Sequence, residues 1–146
     1  MSLFELREVK KKFGSTIVLD NLNLAINEGD LFGIIGANGS GKTTLLKLLI
    51  GYYKADKGAV FYRGKNIYKS GKGLRREIGF TTQESSFYPK LTVEENIIYF
   101  ASLYGLSKKE TRIHTERVLA LLELLPTRHH LAETLSGGMQ RRLEMA

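Results

Sequence analysis

One short glycine-rich stretch limits what this chain can be more than any other part of it. Residues 36–44 read Gly-Ala-Asn-Gly-Ser-Gly-Lys-Thr-Thr, which fits the spacing G-x-x-x-x-G-K-[ST] with Gly36, Gly41, Lys42 and Thr43 at the fixed positions. Glycines at this spacing let the backbone curl, so that successive amide N–H groups point at one anion. The stretch therefore predicts a loop that binds the phosphates of a nucleoside triphosphate.

The residue types in this loop indicate how a triphosphate would be bound. Lys42 can reach the terminal phosphates, and the hydroxyl of Thr43 can hold Mg²⁺. A helix that starts at the end of the loop adds the positive end of its dipole. The candidate binding residues are Gly36, Ala37, Asn38, Gly39, Ser40, Gly41, Lys42, Thr43 and Thr44.

Both flanks of the loop fit this interpretation. Residues 30–35 form a short apolar run rich in β formers, which predicts a buried parallel strand. Residues 45–50 are mostly apolar and Gly51 follows them, which predicts a buried helix and its end. A strand, a glycine loop and a helix are the setting in which phosphate loops occur, so a chance glycine-rich turn is disfavoured.

Composition excludes several classes of protein. Of the 146 residues, 42% are hydrophobic and 25% are charged, which is typical of a soluble globular domain. The chain contains no cysteine, which excludes disulfides and thiolate metal sites. No apolar run is long enough to span a bilayer, and the first residues do not resemble a signal peptide. We therefore expect a cytoplasmic chain, or one on the cytoplasmic face of another protein.

The net charge of +7 leaves two interpretations open. Either the partner is a polyanion or an acidic membrane surface, or the basic residues form a solvated surface that partly serves a nucleotide site. The lysines and arginines are scattered along the sequence, and none of their clusters is interleaved with aromatic residues. This pattern favours the second interpretation, and we expect no nucleic acid partner.

The first part of the chain is rich in strand signals. Residues 3–12 alternate roughly between apolar and polar side chains and predict a strand, and after a turn residues 17–26 alternate again and predict further strand that is broken near Asp20-Asn21. Residues 59–62 predict a short strand, and residues 77–82 predict a second core strand that ends at Gln83. We therefore expect antiparallel β structure that leads into a parallel α/β core.

Helix signals follow. Thr92 and Glu95 form a capping box at the start of one predicted helix. Ser107 caps a second predicted helix over residues 108–125, which carries an apolar stripe and is ended by Pro126.

This change of character divides one domain into two parts. Residues 1–83 are β-rich and carry the phosphate loop, and residues 84–146 form a helical insert. The sequence contains no internal repeat and no low-complexity segment.

A second motif near the end of the sequence also points to an anion. Residues 135–140 read Leu-Ser-Gly-Gly-Met-Gln. Ser136 can cap a helix whose first amide groups belong to Gly137 and Gly138, so that bare amides, a hydroxyl and a helix dipole lie together. Taken alone, the motif favours an ordinary serine-capped helix. Its presence on the same chain as a phosphate loop favours a second anion-binding site.

Together these motifs resemble the nucleotide-binding domain of ATP-binding cassette (ABC) transporters. Residues 36–44 resemble the Walker A motif of that family, and residues 135–140 resemble its signature motif. Gln83 resembles the glutamine of the Q-loop, and Phe13 resembles the aromatic residue that stacks on adenine, although a core aromatic remains an alternative for Phe13. The resemblance covers essentially the whole chain, with the motifs in the right order.

One small departure concerns the end of the signature motif. Met139 stands where the family usually has glutamine, and Gln140 comes next. This departure weakens any role assigned to Gln140.

The resemblance implies an α/β fold with a P-loop NTPase core, an N-terminal antiparallel β part and a helical subdomain. It also implies an ATPase that uses ATP and Mg²⁺ and works as a pair. Ser136, Gly137 and Gly138 of a second subunit would close over the γ-phosphate that one subunit holds. Lys42 would neutralise developing charge, while Thr43 and Gln83 would hold Mg²⁺, with Gln83 also near the attacking water.

A larger departure from the family is the point at which the sequence stops, Ala146. Family members continue into the Walker B strand with its aspartate, the catalytic glutamate and a switch histidine. His114, His129 and His130 precede the signature motif, so we expect them to be surface residues. We also expect an incomplete core sheet with exposed apolar surface, low stability or self-association, and little or no ATP turnover by this chain alone.

The leading functional hypothesis is the energising subunit of a membrane transporter. Its partners would be a second ATP-binding subunit and a transmembrane subunit, and it would lie on the inner face of the cell membrane. One alternative is a soluble ABC-family ATPase without a membrane partner, and another is a nucleotide-binding module without catalysis. A different phosphate-loop enzyme, such as a small-molecule kinase, would leave the signature motif unexplained.

Overall fold

The computed structural model describes residues 2–69, 77–81 and 85–146. Gln83, the predicted Q-loop residue, therefore lies outside the described residues. The chain forms two compact units, Met1–Ile78 and Gly79–Ala146. Each unit is described by itself.

The first unit is built on an antiparallel sheet. Its strands are β1 (Ser2–Phe13), β2 (Thr16–Asn27), β3 (Lys57–Tyr62) and β4 (Lys65–Asn66). They lie in the order β2-β1-β3-β4, and every neighbouring pair is antiparallel. The N-terminal antiparallel β part predicted from the sequence is thus present.

A bulge in β1 sets the register of this sheet. Leu6 and Val9 are both buried although they are three residues apart, because Glu8 adopts a φ of 49° and the pairing shifts on both sides of the strand. Gly58 of β3 lies against the bulge. A Cβ atom at this position would lie 2.3 Å from the carbonyl oxygen of Arg7, so the close approach of the two strands requires glycine.

The helix after the phosphate loop, α1 (Lys42–Leu49), closes the core of this unit. Leu45, Leu48 and Leu49 are buried on one side of α1, as predicted. They form one cluster with Ile67 and with the buried residues of the sheet. Those sheet residues are Leu6, Val9, Ile26, Val60 and Tyr62.

Two predicted core strands are not formed. Residues 30–35 carry no strand, and Leu31 and Ile35 are fully exposed, whereas Ile34 packs against the core. Residues 77–81 also carry no strand. A strand exists through hydrogen bonds to its neighbours, and in the described part of the chain neither segment has a strand paired with it. Leu31, Phe32 and Ile35 thus place apolar side chains on the surface of this unit.

The second unit is helical. It contains α2 (Val93–Leu103), α3 (Lys108–Leu121) and α4 (Gly137–Glu144), with short 3₁₀ turns at Leu125–Thr127 and Ala132–Thr134. Both predicted capping boxes are present, Thr92 with Glu95 and Ser107 with Glu110.

The end of α3 differs from the prediction. It ends at Leu121, before the predicted limit of residue 125, because Glu123 turns the chain with a φ of 56°. Leu124 is then fully buried, and Pro126 lies in a separate 3₁₀ turn. Among the described helices none has both the length and the apolarity to cross a membrane.

Asn96 ties the loop before α2 to that helix. Its side chain is almost fully buried, accepts a hydrogen bond from the amide of Tyr88, and donates to the carbonyl oxygens of Tyr88, Leu91 and Thr92. The three carbonyl oxygens also accept backbone amides, so the Asn96 side chain adds to a loop that the backbone already holds together, and it supplies the acceptor for the amide of Tyr88. The apolar core beneath contains Phe87, Val93, Ile97, Leu119, Leu124, Ala132, Leu135 and Leu143.

Candidate functional site

Two glycines give the phosphate loop its curve. Gly39 and Gly41 have φ values of 80° and 91°, which L-residues with a Cβ atom adopt only at a cost. Gly41 is the N-cap of α1. A Cβ atom on Gly41 would lie 3.0 Å from Cγ1 of Val18 in β2, so the end of the loop rests directly against the sheet.

The loop presents a run of amide groups without acceptors. Within the described part of the chain, the N–H groups of Gly39, Gly41, Lys42, Thr43 and Thr44 donate to no carbonyl or side chain. Three of these amides belong to the first turn of α1, where the helix dipole adds positive potential. A loop with five free donors near a helix N-terminus is suited to an anion with several oxygens.

Lys42 closes the loop on itself. Its Nζ donates to the carbonyl oxygens of Gly36 and Ala37, each at 2.7 Å. The Oγ of Ser40 lies 2.7 Å from the point where a Cβ atom of Gly36 would be, so a side chain there would require Ser40 to shift. The ammonium group is thus positioned beside the free amides, where it can exchange carbonyl oxygens for phosphate oxygens.

The donor set for a metal ion is small. Thr43 is exposed in the first turn of α1 and offers one hydroxyl oxygen. The described residues contain no group of three or more histidine, cysteine, aspartate or glutamate side chains placed to hold a metal. The hydroxyl of Thr43 is of the oxygen type that Mg²⁺ accepts when it keeps waters and is bound mainly through substrate phosphates.

Phe13 is a surface ring rather than a core residue. It lies at the end of β1, its exposed fraction is 44%, and it belongs to no buried cluster. Phe13 pairs with Thr16 across the turn, and Val18, which contacts Gly41, is two residues further along β2. Phe13 and the phosphate loop consequently lie on the same end of the sheet.

Two residues that support Phe13 were missed by the sequence analysis. Tyr53 makes an edge-to-face contact with Phe13, with ring centroids 5.2 Å apart and an interplanar angle of 71°. The Nζ of Lys11 lies 5.2 Å from the centroid of Phe13. The sequence signal that could have found Tyr53 is the pair of aromatic residues Tyr52-Tyr53 directly after the predicted helix end at Gly51.

The signature motif starts α4 as predicted. The Oγ of Ser136 accepts a hydrogen bond from the amide of Met139 at 3.4 Å. Gly137 and Gly138 are exposed, and within the described residues their amide groups have no acceptor. Gln140 is half-buried and donates to the carbonyl oxygen of Ala132 at 3.3 Å, which gives it a local structural contact.

The other candidates are Gln83 and the three histidines. Gln83 falls in residues 82–84, which lie outside the described part of the chain. His114, His129 and His130 are all exposed, as expected.

Comparison with known proteins extends these observations. The family model described as "ABC transporter" matches residues 19–146. The Fe(3+) ions import ATP-binding protein FbpC of Fusobacterium nucleatum is 32% identical over 142 residues, which are 97% of this chain and 38% of that protein. Nod factor export ATP-binding protein I of Burkholderia thailandensis is 34% identical over 142 residues, which are 97% of this chain and 47% of that protein.

A solved structure agrees with this relationship. The structure of cbiO1 from Clostridium perfringens, described as part of the ABC transporter complex cbiONQ, matches with a TM-score of 0.89 at 25% identity. The match covers 99% of this chain and 59% of that one. The chain spans less than half the length of the two curated relatives above. The predicted fold class, part of a P-loop NTPase domain of the ATP-binding cassette type, is confirmed, and the chain belongs to the ABC transporter family.

Proposed function

We propose that residues 36–44 bind the phosphates of ATP together with Mg²⁺, and that Phe13 stacks on the adenine. One observation carries this proposal: five amides of the phosphate loop and the first turn of α1 have no acceptor among the described residues, and the ammonium group of Lys42 belongs to the same loop. Few other ligands match five donors and a cation within one loop as well as a triphosphate does.

Each residue has a distinct part in this proposal. Lys42 gives up the carbonyl oxygens of Gly36 and Ala37 and contacts the terminal phosphates instead. Thr43 and Gln83 hold Mg²⁺, and Gln83 lies near the attacking water. No residue of the 146 is assigned as the general base. Hydrolysis is therefore proposed for the complete protein, where positioning and charge stabilisation would supply most of the catalysis.

The signature motif is proposed to act on the ATP held by a second ATP-binding subunit. Ser136, Gly137 and Gly138 would close over its γ-phosphate. The free amides of the two glycines support this role, as does their lack of any side-chain neighbour: a Cβ atom at either position would meet no atom within 4 Å. A surface without side chains allows the backbone to approach an anion closely.

At the level of the cell, we propose an energising subunit of a membrane transporter on the inner face of the membrane, with a transmembrane partner. The names of the two relatives support this role, since one is an import protein and the other an export protein. A soluble ABC-family ATPase without a membrane partner is the alternative. Because those names differ in cargo and direction, the transported substrate is not assigned.

Replacement of Lys42 by alanine tests the site. We expect Lys42→Ala to weaken the binding of ATP·Mg²⁺ by more than about tenfold, because a charge-assisted contact to phosphate is lost. Isothermal titration calorimetry measures the affinity. Lys65→Ala, on β4, is the matched control, because it removes the same charge from an exposed position outside the loop. Equal affinity of the wild-type chain and Lys42→Ala would contradict the proposal.

A further inference from the structure

We propose that Tyr53 is a positioning residue for the nucleotide base, which it serves by fixing the ring of Phe13, and that Lys11 completes this support. The inference rests on the proposed function, in which Phe13 stacks on adenine. Phe13 is the last residue of β1, at the turn Phe13–Thr16, and Lys11 lies two residues before it on the same strand. Among the rings of the described residues, Tyr53 supplies the aromatic contact.

The backbone of Tyr53 is fixed from two sides. Its amide donates to the carbonyl oxygen of Lys47 at the end of α1, at 3.1 Å. Its own carbonyl oxygen accepts a hydrogen bond from the hydroxyl of Tyr68. The ring of Tyr53 is half-buried against the core of the first unit. Tyr53 therefore offers Phe13 a ring whose backbone is held by two hydrogen bonds.

Lys11 is fixed over the same ring. Its Nζ donates to the carbonyl oxygen of Lys54 at 2.9 Å and forms an ion pair with Asp56 at 3.4 Å. The side chain of Lys11 is only 13% exposed, and its ammonium group lies over both Phe13 and Tyr53, at 5.2 and 5.9 Å from the centroids. Such a cation is attracted to the faces of both rings.

Asp56 keeps this arrangement charged. Its Oδ2 accepts a hydrogen bond from the amide of Lys12 at 2.7 Å, and this bond lowers the pKa of the carboxyl group. The same carboxylate thus anchors both the backbone of β1 and the ammonium group of Lys11. With Tyr53 in edge-to-face contact and Lys11 near it, the ring of Phe13 is held in place, and its exposed surface is available to a base.

Different residues are assigned to the two parts of the nucleotide. Lys42 and the free amides bind phosphates, whereas Tyr53 and Lys11 act through Phe13 on the base alone. The hydroxyl of Tyr53 makes no hydrogen bond among the described residues. Tyr53→Phe thus retains the ring contact, while Tyr53→Leu removes it and keeps an apolar side chain in the core.

Calorimetric titration of the 146-residue chain with ATP·Mg²⁺ and with tripolyphosphate·Mg²⁺ tests the inference. We expect Phe13→Leu to weaken ATP about tenfold and Tyr53→Leu about three- to tenfold, because stacking and its support are lost. Tripolyphosphate affinity stays unchanged for both variants, and Tyr53→Phe binds ATP as the wild type does. Lys11→Met, which keeps the length of the side chain, gives a smaller loss with ATP alone.

The possible failures are distinguishable. If Phe13→Leu leaves the ratio of ATP to tripolyphosphate affinity unchanged, base stacking in the proposed function is wrong, and the inference falls with it. If Phe13→Leu lowers that ratio but Tyr53→Leu does not, the proposed function stands and the inference is overturned. A Tyr53→Leu variant that loses both ligands equally indicates a purely structural role. If Tyr53→Leu does not fold, an ATP-selective loss in Lys11→Met supports the inference, and no loss in Lys11→Met overturns it.

Discussion

The two glycine motifs of this chain use glycine for different reasons. In the phosphate loop the fold itself requires it, because Gly39 and Gly41 adopt positive φ values and a Cβ atom at Gly36 or Gly41 would press against neighbouring atoms. In the signature motif the fold of the second unit does not require it. Gly137 and Gly138 have ordinary helical backbones, and a Cβ atom there meets open space.

This difference separates a glycine needed for folding from one retained for contact. Glycine in a helix costs roughly 0.5–1 kcal/mol relative to alanine, so two at the start of α4 lower its stability without a local benefit. A benefit must come from something that approaches the exposed backbone. The comparison thus favours a ligand or a second subunit at Gly137 and Gly138, in agreement with the proposed function.

The largest expected effect is that of Gly41→Ala. The φ of 91° alone costs roughly 1–2 kcal/mol for an L-residue, and the 3.0 Å contact with Val18 adds to this. We expect a lower free energy of unfolding and a loss of ATP affinity of more than about tenfold, because the first amides of α1 are displaced. Urea denaturation and calorimetry measure the two effects.

Gly39→Ala is the control for this variant. Its φ is also positive, at 80°, but a Cβ atom there meets nothing within 4 Å. Gly39→Ala should therefore lose only the stability that the positive φ costs an L-residue, with no added crowding against Val18. Equal stability of Gly41→Ala and the wild type would show that the loop does not rest on β2 in the way described.

A substitution in the signature motif should change the free energy of unfolding in the opposite direction. Gly138→Ala should raise the free energy of unfolding by roughly 0.5–1 kcal/mol, because it removes a flexible residue from a helix. The affinity of the single chain for ATP should not change. Self-association that depends on ATP should weaken, because the added methyl group keeps the partner's triphosphate away from the amides. Sedimentation with and without ATP measures this. A destabilised Gly138→Ala variant would mean that its own fold needs this glycine, and the contrast between the motifs would disappear.

The features that the sequence predicted are those decided by close neighbours. Both capping boxes involve residues three positions apart, and the residue pattern that predicted β1 and β2 lies within each strand. The glycines of the phosphate loop are likewise recognised from a motif that lies within residues 36–44. Interactions of this range are visible in a sequence because no distant part of the chain is needed to form them.

The features that it did not predict depend on distant partners. Residues 30–35 have strand-like composition, but a strand requires a neighbour, and no described strand pairs with this segment. The contact between Phe13 and Tyr53 joins the end of β1 to the residues after α1. It depends on how α1 and β3 lie against β1, so neither ring indicates the other in the sequence.

The smallest expected effect compares the helix caps of the second unit. Thr92 and Ser107 are each paired with a glutamate three residues later, whereas the corresponding residue after Ser136 is Met139. The hydroxyl of Ser136 accepts one long hydrogen bond, at 3.4 Å. Ser136 therefore contributes less to its helix than a serine in a capping box, and its hydroxyl is more available to a phosphate.

Acid titration of two cap variants can measure this difference. The hydrogen bond from the Ser107 side chain, with that from its amide, lowers the pKa of Glu110 from its ordinary value of 4.5. The stabilisation by this carboxylate is therefore complete above pH 4.5 and is lost as the pH falls through the lower pKa of the folded state. The destabilisation caused by Ser107→Ala should shrink on going from pH 7 to pH 3. That caused by Ser136→Ala should be small, about 0.5 kcal/mol, and the same at both pH values, because no carboxylate joins its cap. If Ser136→Ala instead matched Ser107→Ala in size and pH dependence, the serine of the signature motif would be an ordinary structural cap, and the argument for an outside contact would rest on its two glycines alone.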